Sequence, residues 1–366
     1  MEQVAVIGGN SLVGQHLISA LSLLPNLKLI NVWNLSQKFT FRLPDNNNLD
    51  DSRISSFHGM KHLEAAVHGC DTVFALHEFQ DFSLLPSKKR LQEQNVDFIS
   101  ALLEACNRRH VKRMVYLSSI YLQCSTMWPN VGGREAEYIN FQKEAPFSAY
   151  CSSKNAAEQM ILQCDGIQNV IARIGPVYGE GDQNSLICDA IYWSKFSATL
   201  PVIGDQGGVL QMTYAGNVAD ALLHFAIKMS MDPTINKEVV LVQDDTPIKD
   251  IYESTLKHFY TNNVRQISTM RVPFYLLFIG YLIISFVCWA VSKVTGELIN
   301  FEQLPSPTYF YFIFRHWTFI SGFKQRVFFE YIPKFSYEEA IHRSQDYYRQ
   351  LLPEDISAFS WNVYPV

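Results

Sequence analysis

The chain has 366 residues, about twice an average domain, so its length asks for one large domain or two interleaved ones. Hydrophobic residues make up 48% and aromatic ones 13%, enough for a core, which excludes a wholly disordered chain. A net charge of −5 excludes the basic face of a general nucleic-acid binder, and charged residues at 18% fall below the roughly 25% of ordinary soluble proteins, so some apolar surface should meet a membrane or a ligand.

Met1-Glu2-Gln3 leads straight into Val4–Ile7, an apolar run followed by Gly8-Gly9. It lacks the basic start and longer apolar stretch of a secretory signal, so any membrane address is expected inside the chain. The seven cysteines are scattered with no Cys-x-x-Cys pair. Neither a disulfide framework nor a zinc site is expected, and a reducing compartment fits.

Val4–Ile7 reads as a buried strand, and Gln15–Leu24 places Leu17, Ile18, Leu21 and Leu24 on one helical face. Lys28–Trp33 is a second strand and Thr72–Leu76 a later one. Phe98–Ala105 reads as helix, and Arg113–Leu117 as a strand ending in Ser118-Ser119. Ala156, Ala157, Met160, Ile161 and Cys164 recur at helical spacing, so a helix follows Pro146, and Val170–Ala172 is one more strand. Beyond about residue 246 the pattern turns to aromatic-rich, helical and loop segments. Strands alternating with helices predict an α/β chain with a doubly wound parallel sheet, binding its ligand at the carboxyl ends of the strands.

Gly8, Ser11 and Gly14 have the spacing of the glycine elbow between a first strand and helix, where backbone without side chains approaches a pyrophosphate on the helix amino terminus. Ser11 replaces the middle glycine, and its hydroxyl could donate to phosphate. The plain alternative is a tight turn in an α/β domain. Twenty residues past Gly14 stands Asn34, where an acid would bond the ribose hydroxyls. The amide removes the repulsion that excludes a 2′-phosphate, yet no arginine follows to attract one, so NAD and NADP both stay open.

Tyr150 and Lys154 stand four apart at the start of a helix, which puts both on one face. A phenol is a poor base at neutral pH, and a neighbouring ammonium is expected to stabilise its phenolate. Ser119, at a strand end, would fix the substrate oxygen. With 18 tyrosines, about one Tyr-x-x-x-Lys pair arises by chance. Its alternative is a surface tyrosine with a solvated lysine; the upstream serine pair and elbow favour chemistry.

Val111–Ser119, Tyr150–Lys154 with Ala157-Glu158, Arg173 with Val177–Asp182, Tyr214–Ala219, Asp244–Pro247 and Phe335–Ala340 carry a resemblance. With these motifs the chain resembles an extended short-chain dehydrogenase/reductase, and within that group the 3β-hydroxysteroid dehydrogenase/Δ5-Δ4-isomerase family. The general motifs are shared with sugar-nucleotide epimerases and reductases; the last three, with the apolar insert between them, are more specific. The resemblance implies a Rossmann-like fold with a smaller, mostly helical carboxy-terminal substrate and membrane region. It implies a dinucleotide-binding domain over 1–175, its sheet completed by part of 207–246, and a substrate-binding region over 176–206 and 247–366. Ser119, Tyr150 and Lys154 are the expected catalytic residues. Gly8, Ser11, Gly14, Asn34 and Lys154 are the expected cofactor residues for NAD or NADP, with no metal.

The implied activity is NAD(P)-dependent oxidation of the 3β-hydroxyl of a steroid or sterol, with ring double-bond isomerisation left open. Two alternatives stand beside it: a decarboxylating sterol-4-carboxylate 3-dehydrogenase, and a non-catalytic membrane-associated scaffold. The scaffold is motivated by drift at Ser11, at Asn34 and at Ser56, which stands where an adenine-contacting aspartate is usual. The usual His-x-Ala after the fourth strand reads Ala75-Leu76-His77. His77 could shape the pocket or be structural, and Asn95 resembles an asparagine that steadies the site, a helix cap or surface role being its alternative. The Asn34-Leu35-Ser36 sequon is discounted.

Residues 272–292 carry no charge between Arg271 and Lys293, and as a helix reach about 30 Å, a bilayer core. The alternative is a buried helix walling a substrate pocket. If Phe335–Tyr348 packs on the catalytic domain, one crossing would strand it. Either a second pass through Thr308–Phe323 returns the chain, with Arg315 and His316 at a cost, or the segment inserts without crossing. The expected setting is the endoplasmic reticulum membrane with the catalytic domain facing the cytosol. The expected partners are a sterol and a lipid bilayer, and no nucleic acid; a homodimer is left open.

Overall fold

The computed structural model describes residues 1–43, 51–127, 129–133, 135, 145–197, 199–204, 208–252, 266–295 and 304–356. Seven parallel strands form the main sheet: β1 (Gln3–Ile7), β2 (Leu29–Asn34), β3 (Ile54–His58), β4 (Thr72–Ala75), β5 (Arg113–Ser119), β6 (Gln168–Ile174) and β7 (Glu238–Val242). Their order is β7-β6-β5-β4-β1-β2-β3. The chain starts in the middle, winds to one edge, and then turns back from β4 to build the other half. Val4, Ala5, Val6 and Ile7 are fully buried, as a central parallel strand covered on both faces must be.

Helices cover both faces. On one, α1 (Leu12–Ser22) brings Leu17, Ile18 and Leu21 against Val218, Leu222 and Phe225 of the helix Ala215–Met231. On the other, α2 (Phe98–Arg108) and α3 (Ser148–Gln163) bury Phe98, Leu102, Ala157 and Ile161 with Val73 and Tyr116. Helix α1 starts three residues earlier than its apolar periodicity because Ser11 caps it, and ends at Ser22; Leu24 lies past its end and still packs on that core.

Past the main sheet, Gln266–Val272 pairs in parallel with Thr199–Ile203, and Trp317–Ile320 lies between Val209–Leu210 and Asn130–Gly133. The apolar segment forms α4 (Phe274–Val294), followed by α5 (Pro307–Phe314) and α6 (Tyr337–Gln350). Thr308–Phe323 is not a second membrane pass. Its eight-residue helix buries Tyr309, Phe312 and Ile313, and Phe312 packs edge-on to Tyr121. The rest enters the three-stranded sheet, so the run is apolar because it faces the body of the protein. Phe335 bonds Asn217 through its N–H (2.9 Å) and its carbonyl (3.0 Å), and Tyr348 donates to Asp182 (2.6 Å), so the segment leading into α6 and α6 itself are seated on the body that holds the main sheet.

Candidate active site

Strand order reverses between β1 and β4, and a crevice opens at their carboxyl ends, lined among others by Gly8, Asn10, Ser11, His77, Glu78 and Ser119. Gly8 has φ +97°, and a Cβ there would lie 2.8 Å from the His77 nitrogen. A Cβ on Gly14 would stand 2.5 Å from the Gly8 carbonyl oxygen. Both glycines are therefore required for the chain to turn this tightly onto α1. The serine between them does not offer its proton to phosphate. Ser11 Oγ donates to the Gly8 carbonyl (2.7 Å) and accepts from the Gly14 N–H (3.1 Å), which makes it the cap of α1.

Asn34, the expected ribose ligand, is fully buried: its Oδ1 accepts from the Asn10 N–H (2.8 Å), steadying the elbow, and its Nδ2 is buried without a partner. The asparagine of the sequon is therefore enclosed. Ser56 accepts from the Phe39 N–H (3.0 Å). The segment after β2 folds back over α1: Asn10 donates to the Lys38 carbonyl and Gln15 to the Thr40 carbonyl. It delivers Arg42 to the crevice wall, where the guanidinium donates to Gln183 Oε1 (2.8 Å) and to the Asn10 carbonyl while Nε stays buried without a partner. A cation thus stands at the amino terminus of α1 after all, eight residues beyond where it was sought.

Ser119 lines the crevice; its Oγ accepts from the Tyr121 N–H (3.2 Å) and its hydroxyl bonds the Tyr150 oxygen. Ser118 lines it too, its Oγ buried and unpartnered. Tyr150 and Lys154 are fully buried one layer behind, and Glu78 forms the wall in front of them. The Tyr150 hydroxyl donates to Glu78 Oε2 (3.1 Å), and Lys154 Nζ meets the same oxygen at 3.1 Å. The ammonium also donates to the Leu117 carbonyl (2.9 Å) and lies over the Tyr116 ring.

This arrangement reverses the expected electrostatics. Burial and then the Glu78 carboxylate push the Tyr150 phenol well above its ordinary pKa, against a hydrogen bond from Ser119 that lowers it. Burial works against the Lys154 ammonium, but Tyr116 and Glu78 outweigh it and hold its pKa above the ordinary value. The lysine charge is spent on Glu78 and Tyr116, so it does not supply phenolate.

His77 borders the crevice with Nε2 buried and unpartnered, stacked edge-on to Phe98 (4.6 Å) and Trp33 (5.8 Å). Burial lowers its pKa to about 4, so it is neutral. Asn95, in a π-helical turn before α2, is buried; it accepts from the Phe79 N–H (2.8 Å) and donates to the Phe79 carbonyl (3.0 Å) and to Ser153 (2.9 Å). It locks the corner carrying Glu78 to α3. Sequence reasoning missed Glu78 and Arg42. A single carboxylate past a strand has no spacing signature, and Arg42 reaches the site only through the fold-back after β2.

The sequence model of the 3-beta hydroxysteroid dehydrogenase/isomerase family matches residues 5–273. The sterol-4-alpha-carboxylate 3-dehydrogenase (decarboxylating) of Candida albicans is 26% identical over 275 residues, covering 68% of this chain and 71% of that protein. Its counterpart in Mus musculus is 22% identical over 363 residues, covering 96% and 92%. Among solved structures, UDP-glucuronic acid 4-epimerase from Bacillus cereus, in complex with UDP-glucuronic acid and NAD, shares the fold with a TM-score of 0.65 at 16% identity, covering 95% of this chain and 99% of that one.

Proposed function

The chain belongs to the 3-beta hydroxysteroid dehydrogenase/isomerase family, and on that premise we propose that it oxidises the 3β-hydroxyl of a sterol with NAD or NADP. The observation that carries the reading is that the glycine elbow and Ser119 line one crevice, with the Tyr150–Lys154 pair directly behind its Glu78 wall. Its outer wall, with Phe82, Tyr121, Tyr309 and Ile313, suits a flat apolar substrate. The orphaned polar atoms along it (Arg42 Nε, His77 Nε2, Ser118 Oγ) suit a polar cofactor. Gly8 and Gly14 would admit the pyrophosphate to the start of α1, and Arg42 would face it. Lys154, expected at the nicotinamide ribose, stands behind Glu78. The dinucleotide, when bound, supplies the hydride acceptor. Ser119 would hold the substrate oxygen and Tyr150 would take its proton.

The names of the relatives favour a second reading, the 4-carboxysterol as substrate. Incubation with NAD or NADP and matched 3β-hydroxysterols, with and without the 4-carboxylate, tests both. The expected result is 3-ketone formation, with carbon dioxide released only from the carboxylated substrate. Absence of ketone from every sterol, together with no calorimetric binding of either dinucleotide, would count for the scaffold instead. We assign residues 1–175 and β7 to the dinucleotide, and 176–206 with 247–366 to the sterol.

The membrane reading rests on α4, 21 residues long and, among the described residues, the one helix apolar enough to span a bilayer. It lies along the body through Phe274, Ser285 and Ser292, with Leu276 73% and Phe286 65% exposed on its outer side. Both flanks are tied to the same body: Arg271 and Val272 pair with Val202 and Ile203, while Leu304 accepts from the Leu84 N–H (2.8 Å). A single crossing would tear one set from the other, so α4 inserts in the plane of the membrane. Helix α5 connects it to the crevice, with Tyr309 and Ile313 on the wall and Phe310 stacked on Tyr281 of α4 (5.3 Å). A sterol dissolved in lipid would enter along that joint; an endoplasmic reticulum membrane, with the crevice on its cytosolic side, is the setting this implies. The chain is expected to float with phospholipid vesicles in a density gradient, and the triple variant Leu276→Glu, Ile283→Glu, Phe286→Glu to stay at the bottom with its unfolding midpoint unchanged. A triple variant that floats as well as the parent removes α4 as the contact.

A further inference from the structure

Glu78 presents a problem that sterol oxidation must solve. A base is needed beside Ser119, yet the tyrosine there is a protonated phenol whose hydroxyl points at a carboxylate 3.1 Å away. That carboxylate is held at one oxygen by Lys154 (3.1 Å), and its other oxygen accepts from the Gln80 amide. It is 22% exposed, in the crevice wall, while both of its α3 partners are fully buried. Asn95 fixes the backbone of the next residue, Phe79, at two points, so the carboxylate is not on a free loop. An acceptor oriented onto the hydroxyl, charge-balanced by an ammonium and open to water on its far side is the geometry of a relay.

Resting on the sterol-oxidation reading, we propose that Glu78 is a positioning residue that accepts the Tyr150 proton as Tyr150 takes the proton of the substrate hydroxyl. The substrate O–H bond breaks and a Tyr150 O–H bond forms. In the same movement the original Tyr150 O–H bond breaks, and its proton passes to a Glu78 oxygen and on to crevice water. The two electrons of the substrate C–H bond leave as hydride to the oxidised nicotinamide. Tyr150 begins and ends as neutral phenol and never has to exist as free phenolate in a buried site. Lys154 serves by holding the Glu78 carboxylate aimed at the hydroxyl.

The titratable groups that face Glu78 are Tyr150 and Lys154 from α3, Tyr116 from β5, Tyr121 beyond the end of β5, and its neighbour His77. His77 is neutral across the working range, and burial raises both Tyr116 and Tyr121. None of them changes charge near neutral pH. If Glu78 is the acceptor, no free phenolate has to form, so kcat for sterol oxidation does not go on rising with pH above neutrality. If Tyr150 must ionise alone, kcat keeps climbing past pH 10.

The test is the pH profile of kcat and KM for the wild type, Glu78→Gln and Glu78→Asp, at saturating dinucleotide. The glutamine keeps the size and one oxygen to accept from Tyr150 and Lys154, but neither the second accepting oxygen nor the proton affinity. Expected are a plateau in the wild type and a kcat about 100-fold lower at pH 7 in Glu78→Gln, rising with pH to at least pH 10. The sterol KM should hold within about twofold, and Glu78→Asp should restore the plateau. A Glu78→Gln profile parallel to the wild type, or a faster Glu78→Gln enzyme, overturns the relay and leaves the sterol reading standing. A wild type that oxidises no sterol overturns both.

Discussion

Tyr150→Phe is expected to lower kcat for sterol oxidation by about 10²–10⁴-fold, the span usual for loss of a proton-transfer group, with the fold and dinucleotide affinity retained. The substitution removes one oxygen and leaves the ring, which sits edge-on to Phe82 with centroids 5.2 Å apart, in place. The hydroxyl's hydrogen bond to Glu78 is lost, but that carboxylate keeps Lys154 and Gln80 and remains open to the crevice. The expected stability loss is therefore about 1 kcal/mol. Steady-state kinetics with saturating sterol, set beside calorimetric titration of the dinucleotide, separate the two effects. A variant with undiminished turnover would remove Tyr150 from the reaction and, with it, the relay through Glu78.

The architecture was legible because central parallel strands announce themselves. Val4–Ile7 and Arg113–Ser119 are buried runs with no alternation, each bounded by glycine or serine at the carboxyl end where the crevice opens. The placements of Ser119, Tyr150 and Lys154 were legible too, because their spacing along a strand end and one helix face is local. What sequence could not carry is where long-range neighbours point. Asn34 stands at the position of a ribose ligand, but that its amide oxygen is taken by the Asn10 N–H shows only in the fold, and Arg42 becomes a crevice residue only when the segment after β2 doubles back. Tyr150 and Lys154 share a face as expected, but a carboxylate from the end of a different strand stands between them and the opening. Burial first, and that carboxylate second, raise the phenol where a neighbouring ammonium was expected to lower it. The aromatic run Pro307–Phe314 shows the same limit, since apolar composition is identical for a lipid-facing and a protein-facing helix. Only the packing of Phe312 on Tyr121 and Phe147 decides it.

Glu158→Ala is expected to cost about 3–5 kcal/mol, the price of leaving a buried charge unpaired. Glu158 lies on α3 one turn beyond Lys154 and is fully buried. Both its oxygens take guanidinium protons from Arg173, at 2.9 Å from Nε and 2.6 Å from Nη2, a bidentate pair. Arg173 belongs to β6, in register with Ser118 of β5. The pair therefore rivets the helix that carries Tyr150 and Lys154 to β6, which is paired with the strand that carries the serines. Its loss should act twice. The unfolding midpoint in denaturant should fall, and kcat should fall by up to about 100-fold, since displacement of reacting groups by about 1 Å has that effect. Replacing both partners, as in Glu158→Met with Arg173→Leu, removes the unpaired charge and should recover most of the stability. It should recover less of the activity, because an apolar contact does not fix the helix in register. A single variant that unfolds within about 1 kcal/mol of the wild type would show the pair to be bordered by water, and the rivet would have to be sought in the apolar contacts of Ala157 and Ile161 instead.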